Sequence, residues 1–202
     1  MSRTSPSETI DVRQNILETG RRVMAAKGFS AVGLNEILST AGVPKGSFYH
    51  YFGSKDAFGV AMLEAYFEEY LAEMDLTLAQ PGFTTAQRLM NYFQAWQSAQ
   101  SFSDCQGKCL AVKLGAEVAD LSEPMRAVLQ RGTAGIVSRL AAATEAGMKD
   151  GSLVLDSDAG STAQSLYQLW LGASVMVKIV RHTGPFESAL ATTRQILRLS
   201  AS

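Results

Sequence analysis

Two cysteines, two histidines and a few isolated lysines are the residues of this 202-residue chain most suited to chemistry. Cys105 and Cys109 stand four apart in "DCQGKCLAVKLG". The thiolate is the reactive form of cysteine, so a reactive site needs positive charge or a helix N-terminus beside the sulfur. Cys109 has both within reach. It falls in the first turn of a helix expected over Lys108–Val118, after Gly107, next to Lys108 and four residues before Lys113. A free cysteine is equally at home as a small buried hydrophobe, and that alternative stays open. Cys105 would resolve an oxidised Cys109 if the helix began early enough, whereas "SDCQG" reads as a turn. Two cysteines without two further ligands do not make a zinc site. Lys178 interrupts the apolar run "VMVKIV". Either its ammonium snorkels to water, or it lies near Cys109 and stabilises the thiolate. No cysteine, histidine or carboxylate is spaced to join His50 in a metal site, and no acid is placed to orient His182 toward Cys109. A cysteine-dependent enzyme therefore lacks the groups it needs, and the sequence asks for no metal and no cofactor.

A second stretch with chemical content is "AGVPKGSFYHYFGSKDAFG", residues 41–59. It holds four glycines, a proline, a histidine, two tyrosines and three phenylalanines, and no carboxylate lies between Glu36 and Asp56. Leu34, Ile37, Leu38 and Ala41 have the spacing of a two-turn amphipathic helix. Gly33 suits its N-cap, Glu36 would reach back to that cap, and Gly42 supplies the left-handed residue that stops it. Pro44 fits the first turn of a third, short helix. Helix, four-residue turn and short helix is the helix-turn-helix arrangement, whose second helix enters the DNA major groove. Phe48 and Phe52 face inward, leaving Lys45, Gly46, Ser47, Tyr49, His50 and Tyr51 toward the groove. Gly46 lets the backbone approach bases. Hydroxyl, imidazole and ammonium groups reach phosphate oxygens, and Lys55 opens the next helix, where N–H groups also point at anions. The bland alternative is a turn followed by a core helix.

The elements that must position these residues are helical throughout. A first helix is expected over Val12–Lys27, capped by Thr9 or Asp11 and ended by Gly28. Ser54 begins a long one, Lys55–Leu78, broken by "AQPGF". Thr85–Ser101, Lys108–Val118, Pro124–Met148, Asp158–His182 and Phe186–Leu199 follow. The fold class is all-α, with about nine helices and no strand. The domain division is 1–54 for the helix-turn-helix and 55–202 for a larger regulatory and dimerisation part. Trp96, Trp170, Tyr92 and Tyr167 sit at helical spacing and are core residues by default, with a ligand pocket as the alternative. Net charge is −1, so no global field selects a nucleic-acid or membrane partner. Residues 1–60 carry seven basic against five acidic side chains. The longest charge-free stretch, Ala159–Val177, holds too many hydroxyls and amides for a lipid-facing span. "MSRTSPSETI" contains no secretory apolar run, and the chain reads as cytoplasmic, where a structural disulfide is not expected.

"GFSAVGLNEILSTAGVPKGSFYHYFGSKDAF" resembles the DNA-binding domain of TetR-type transcriptional regulators, all-helical homodimers, over about Val12–Leu71. The resemblance implies base contacts from Lys45, Gly46 and Ser47 and phosphate contacts from Tyr49, His50, Tyr51 and Lys55. Val32-Gly33 departs from the Thr-Ser or Thr-Thr of many members, so a hydroxyl cap is missing. "CLAVKLGAEVADLSEPMR", "LWLGASVMVKI" and "VPKGSFYHYFGSKDAFGVAMLEAY" resemble the narrower NemR-like subgroup, repressors of N-ethylmaleimide reductase genes. That subgroup responds to electrophiles and oxidants through a cysteine, and Cys109 occupies its position. The expected function is a repressor that binds a palindromic operator in double-stranded DNA as a homodimer and leaves it when Cys109 is modified. The family's last two helices form a four-helix bundle across the two-fold axis, and Gly172, Ala173 and Ser174 would permit close approach there. A buried central helix is the competing use of Ala159–Val180. Non-covalent sensing of a lipophilic molecule is the competing mode of induction.

Overall fold

The computed structural model describes residues 6–99 and 110–199. Among the described residues there are nine helices and no strand. They are α1 Pro6–Lys27, α2 Leu34–Ala41, α3 Lys45–Tyr51, α4 Lys55–Leu78, α5 Thr85–Ala99, α6 Leu110–Leu121, α7 Glu123–Lys149, α8 Ala159–Val180 and α9 Gly184–Ile196. Two compact units divide them. The first comprises the described parts of Met1–Phe67 and Gln106–Gln130, and the second those of Glu68–Cys105 and Arg131–Ser202. The first parts of α4 and α7 thus belong to one unit and their remainders to the other.

In the first unit α1 packs on α2, α3 and α6. Ile16, Leu17 and Met24 of α1 are buried with Ile37, Leu38, Phe48, Phe52, Phe58, Met62 and Leu63. One small residue makes this possible. A Cβ on Gly20 would stand 2.2 Å from Cζ of Phe58, so α1 closes onto a ring of α4 only because position 20 has no side chain. Gly42 takes φ 67° after α2, and its N–H reaches back to the last turn, as does that of Val43 to the Leu38 carbonyl.

Several boundaries differ from the sequence expectation. The first helix starts at Pro6 and not Val12, so Thr9 and Asp11 lie within it and do not cap it. A proline, lacking an N–H, suits that first turn. Pro44 is the N-cap of α3, one residue before the first turn, with extended backbone. The Glu36 carboxylate pairs with the Lys27 ammonium, an opposite charge at the end of α1. The last helix begins at Gly184 and ends at Ile196, with Pro185 in its first turn.

The second unit is built on aromatic stacking. Trp170 has no exposed surface and lies between Phe93 and Phe186, at 5.0 and 5.8 Å between ring centroids. Its indole N–H donates to Thr193 Oγ1 at 2.8 Å, tying α8 to α9. Trp96 donates to Ser174 Oγ at 3.0 Å, and that hydroxyl donates to the Trp170 carbonyl. Tyr92 and Tyr167 are also buried, so the four aromatics are core residues as their spacing suggested. Asp150 closes the end of α7: it accepts from Thr85 Oγ1 at 2.6 Å and from the Ser152 N–H at 2.8 Å. Hydrogen bonds from Ser152 and then Thr85 hold its carboxyl down to about 2.

Two measurements check this packing. Gly20→Ala should lower stability by about 1–3 kcal/mol in thermal or denaturant unfolding, because the added methyl meets a fully buried ring. A depressed carboxyl stabilises above its unfolded value and loses that contribution as pH falls through its folded one. Thr85→Val should accordingly move the Asp150 titration upward from about 2, followed by carboxyl-carbon NMR.

Candidate nucleic-acid interface

A seven-residue helix has too few hydrogen bonds to persist alone, so α3 depends on what it buries. Phe48 and Phe52, one turn apart, supply that anchor at 0% and 3% exposure. Their rings lie 5.2 Å apart, and each meets Phe58 of α4, at 5.5 and 5.1 Å. The tilted and edge-on geometries are those aromatic quadrupoles favour. The opposite face is open. Lys45, Gly46, Tyr49 and His50 are exposed, with Tyr49 at 53%, and Ser47 and Tyr51 are half-buried.

The polar groups on that face are held in place by their neighbours. The Lys45 ammonium stands 6.0 Å from the Tyr49 ring centroid, and the His50 ring meets Tyr51 edge-on at 4.8 Å. Nothing lies within 4 Å of a Cβ built on Gly46, so its open surface is available to an approaching backbone. Lys55 begins α4, where Ser54 Oγ accepts the Ala57 N–H at 3.0 Å and caps the helix. The Lys55 ammonium is half-buried. It donates to the Phe29 carbonyl at 2.8 Å and stands 4.6 Å from the Phe29 ring. A lysine has three donors, so two remain for an outside acceptor.

Residues 45–55 all belong to the first unit, with Lys45, Gly46, Tyr49 and His50 on its surface and Lys55 half-buried beside Phe29. Arg13 of α1 joins them, with its guanidinium 5.6 Å from the Phe52 ring. Nothing local singles Arg13 out, since its ring partner is far along the chain. Cys105 and Cys109 lie outside the described residues. Lys178 is half-buried on α8 in the second unit. Among the described residues no cluster of three or more His, Cys, Asp or Glu could hold a metal. No described helix is long and apolar enough to cross a membrane.

A buried aromatic anchor, a turn of three residues (Gly42, Val43 and Pro44) where four were expected, and a short helix with an open, carboxylate-free face define a helix-turn-helix DNA-binding regulator. Residues 16–62 match the family described as bacterial regulatory proteins, tetR family, and residues 85–193 match the tetracyclin repressor-like C-terminal domain. The chain belongs to the TetR family and is a TetR-type transcriptional repressor. It is 42% identical over 195 residues to the HTH-type transcriptional repressor NemR of Escherichia coli K12, covering 95% of this chain and 96% of that one. It is 32% identical to the HTH-type transcriptional repressor DhaR of a Mycobacterium species, covering 92% of each. The crystal structure of the reduced form of E. coli NemR superimposes with a TM-score of 0.89, covering 95% of this chain and all of that one. TetR regulators bind DNA, typically as dimers.

Removing the anchor should unfold the site before it affects any contact. Phe48→Ala empties a fully buried ring position and should cost about 3–5 kcal/mol, read as a lowered unfolding midpoint.

Proposed function

We propose that the protein is a cytoplasmic homodimeric repressor that binds a palindromic operator and releases it when a reactive electrophile or oxidant modifies Cys109. In this reading Lys45, Gly46 and Ser47 of α3 meet base edges in the major groove. Tyr49, His50, Tyr51 and Lys55 hold phosphates and set register. The observation that carries it is 42% identity to the NemR repressor across 95% of the chain, a span that includes the α3 face and the Cys109 segment. That the solved E. coli relative is described as a reduced form supports an oxidisable group here too.

Exposed apolar surface supports the dimer. Gly172, Val175, Met176 and Ile179 follow i, i+3, i+4, i+7 spacing on α8, and all four are exposed, Ile179 at 65%. Ala173 and Ser174 are buried in the fold, and a Cβ on Gly172 would have nothing within 4 Å. The stripe leaves room for a second helix to approach closely, and a palindromic operator would require the two α3 helices of such a pair to reach half-sites about 34 Å apart, one DNA turn.

The sensing step is nucleophilic. The Cys109 thiolate forms a sulfur–carbon bond to an unsaturated carbonyl, and water returns a proton to the neighbouring carbon. Alternatively the thiolate attacks an oxygen of a peroxide, the O–O bond breaks, and the sulfenic acid forms as hydroxide or an alkoxide leaves. Lys178 would favour the thiolate through its charge, and Cys105 would resolve the oxidised form as a disulfide. Modification then alters packing around α6, and the spacing of the α3 pair changes. Reversing a 1:99 equilibrium requires about 5.5 kcal/mol of differential stabilisation.

Fluorescence anisotropy with DNA from the protein's own upstream region tests this. The wild type should bind with strong salt dependence and release on treatment with N-ethylmaleimide, whereas Cys109→Ser should bind and stay bound. Release of both proteins would move sensing to a non-covalent lipophilic ligand. Lys178→Met should shift the alkylation-versus-pH profile upward, and an unchanged profile would remove Lys178 from the sensor.

A further inference from the structure

Residues 28–30 form the turn that follows α1, and Gly28 makes it with φ +95°. The turn is gripped by a carboxylate far along the chain. Glu117 of α6 accepts the Phe29 N–H on Oε2 at 3.0 Å and the Ser30 N–H on Oε1 at 2.7 Å, one amide for each oxygen. A Cβ at Gly28 would stand 3.0 Å from that same Oε2, so glycine is also what leaves the carboxylate room. Burial opposes the Glu117 charge, but the Ser30 and Phe29 hydrogen bonds and the Lys113 ammonium outweigh it and hold the carboxyl below its ordinary value.

The far side of the same peptide group is also occupied. The Ser30 N–H and the Phe29 carbonyl belong to one amide plane. Glu117 binds its N–H end, and the Lys55 ammonium binds its carbonyl end at 2.8 Å. A negative charge therefore sits at the positive end of a peptide dipole and a positive charge at the negative end. Each hydrogen bond polarises the amide in the sense that strengthens the other. The Phe29 ring, itself buried, lies under the ammonium at 4.6 Å and restricts it further. All of these residues belong to the first unit.

We propose that Glu117 is a positioning residue: through the 29–30 peptide it fixes the Lys55 ammonium for a DNA phosphate, so that α6 sets part of the grip on the operator. The inference rests on the reading of Lys55 as a phosphate contact. It adds a route by which the helix that follows Cys109 reaches the DNA face. In Glu117→Gln the side-chain amide offers one acceptor and places N–H donors against a backbone N–H, which breaks the fork while preserving size.

Operator affinity measured over a range of salt concentrations, for the full-length protein, tests it. Each phosphate contact contributes about 0.9 to the slope of log K against log salt, so Lys55→Ala in a dimer should flatten it by about 1.8. E117Q should flatten it by at least about half as much and weaken binding about tenfold, the scale of one charge-assisted hydrogen bond. The E117Q/K55A double variant should bind within about threefold of K55A alone, because both changes remove one contact. An unchanged slope in E117Q, or a double defect equal to the product of the single ones, overturns the inference. Linkage gives a second reading that needs no variant. If Lys55 and Glu117 act through one amide, adding operator should slow hydrogen exchange of the wild-type Ser30 N–H several-fold. An unaltered rate overturns the inference while leaving operator binding, and hence the proposed function, intact. A wild type that binds no duplex removes both.

Discussion

α3 is too short to stand by itself, and that constraint governs the first unit. Seven residues form at most a few internal hydrogen bonds, against a nucleation cost that isolated helices recover only at about twice that length. Stability has to be supplied from outside, and two phenylalanines one turn apart supply it. Each buried ring removes enough apolar surface from water to contribute roughly 1.5–3 kcal/mol. Because both rings point one way, the other side of α3 is left free to be polar, small and exposed. Core packing and the open face are thus a single arrangement, and neither can be altered without the other. Gly20 extends the constraint to α1, since the ring that supports both phenylalanines occupies the space a side chain would need.

Charge is handled as locally as packing. The chain as a whole carries −1, so long-range attraction to a polyanion is weak and affinity has to arise from placed contacts. Flexible surface lysines are poor at this because fixing them costs entropy. Here the cations near α3 lean on rings: Arg13 on Phe52, Lys45 on Tyr49 and Lys55 on Phe29. A ring face attracts a cation and limits where it can go, so part of the ordering cost is met before DNA arrives.

Local pattern was legible from the residues alone, and distant partnership was not. The spacing of Phe48 and Phe52, the stop at Gly42, the start at Ser54 and Lys55, and the aromatic core of α5 and α8 all follow from periodicity and capping chemistry. Each depends on residues within a turn or two. Glu36 shows the limit. Its position three residues after a cap invites a capping box, yet an opposite charge at Lys27 is the stronger partner and takes the carboxylate. Glu117 shows it more plainly. In "LGAEVADL" it looks like an ordinary solvated acid beside Lys113, and the two amides it holds are 87 and 88 residues away. The first helix began earlier than expected because polarity, not periodicity, marks its opening turn. As for the sensor, the Cys109 segment was read from neighbouring charge and family resemblance, and both cysteines lie outside the described residues.

The size of α6 bears on whether modification of one sulfur is enough to switch the molecule. The helix directly follows Cys109 in the chain, is 12 residues long and buries Leu110, Leu114 and Val118 along one stripe. Each buried aliphatic side chain is worth about 1.5–3 kcal/mol, so displacing two of them in each protomer already exceeds the 5.5 kcal/mol that a complete population reversal demands. In the proposed function, a bulky adduct on Cys109 would not have to unfold this helix. It has only to make the stripe fit better one notch away, because close-packed interiors accommodate volume by discrete repacking and not by gradual yielding. A short, well-buried helix carrying a carboxylate that holds the turn after α1 is suited to that demand. It is small enough to move as a body and buried deeply enough for the movement to matter. It is also joined to the turn after α1 by hydrogen bonds from Phe29 and Ser30 to Glu117, whose geometry a shift of an ångström would break.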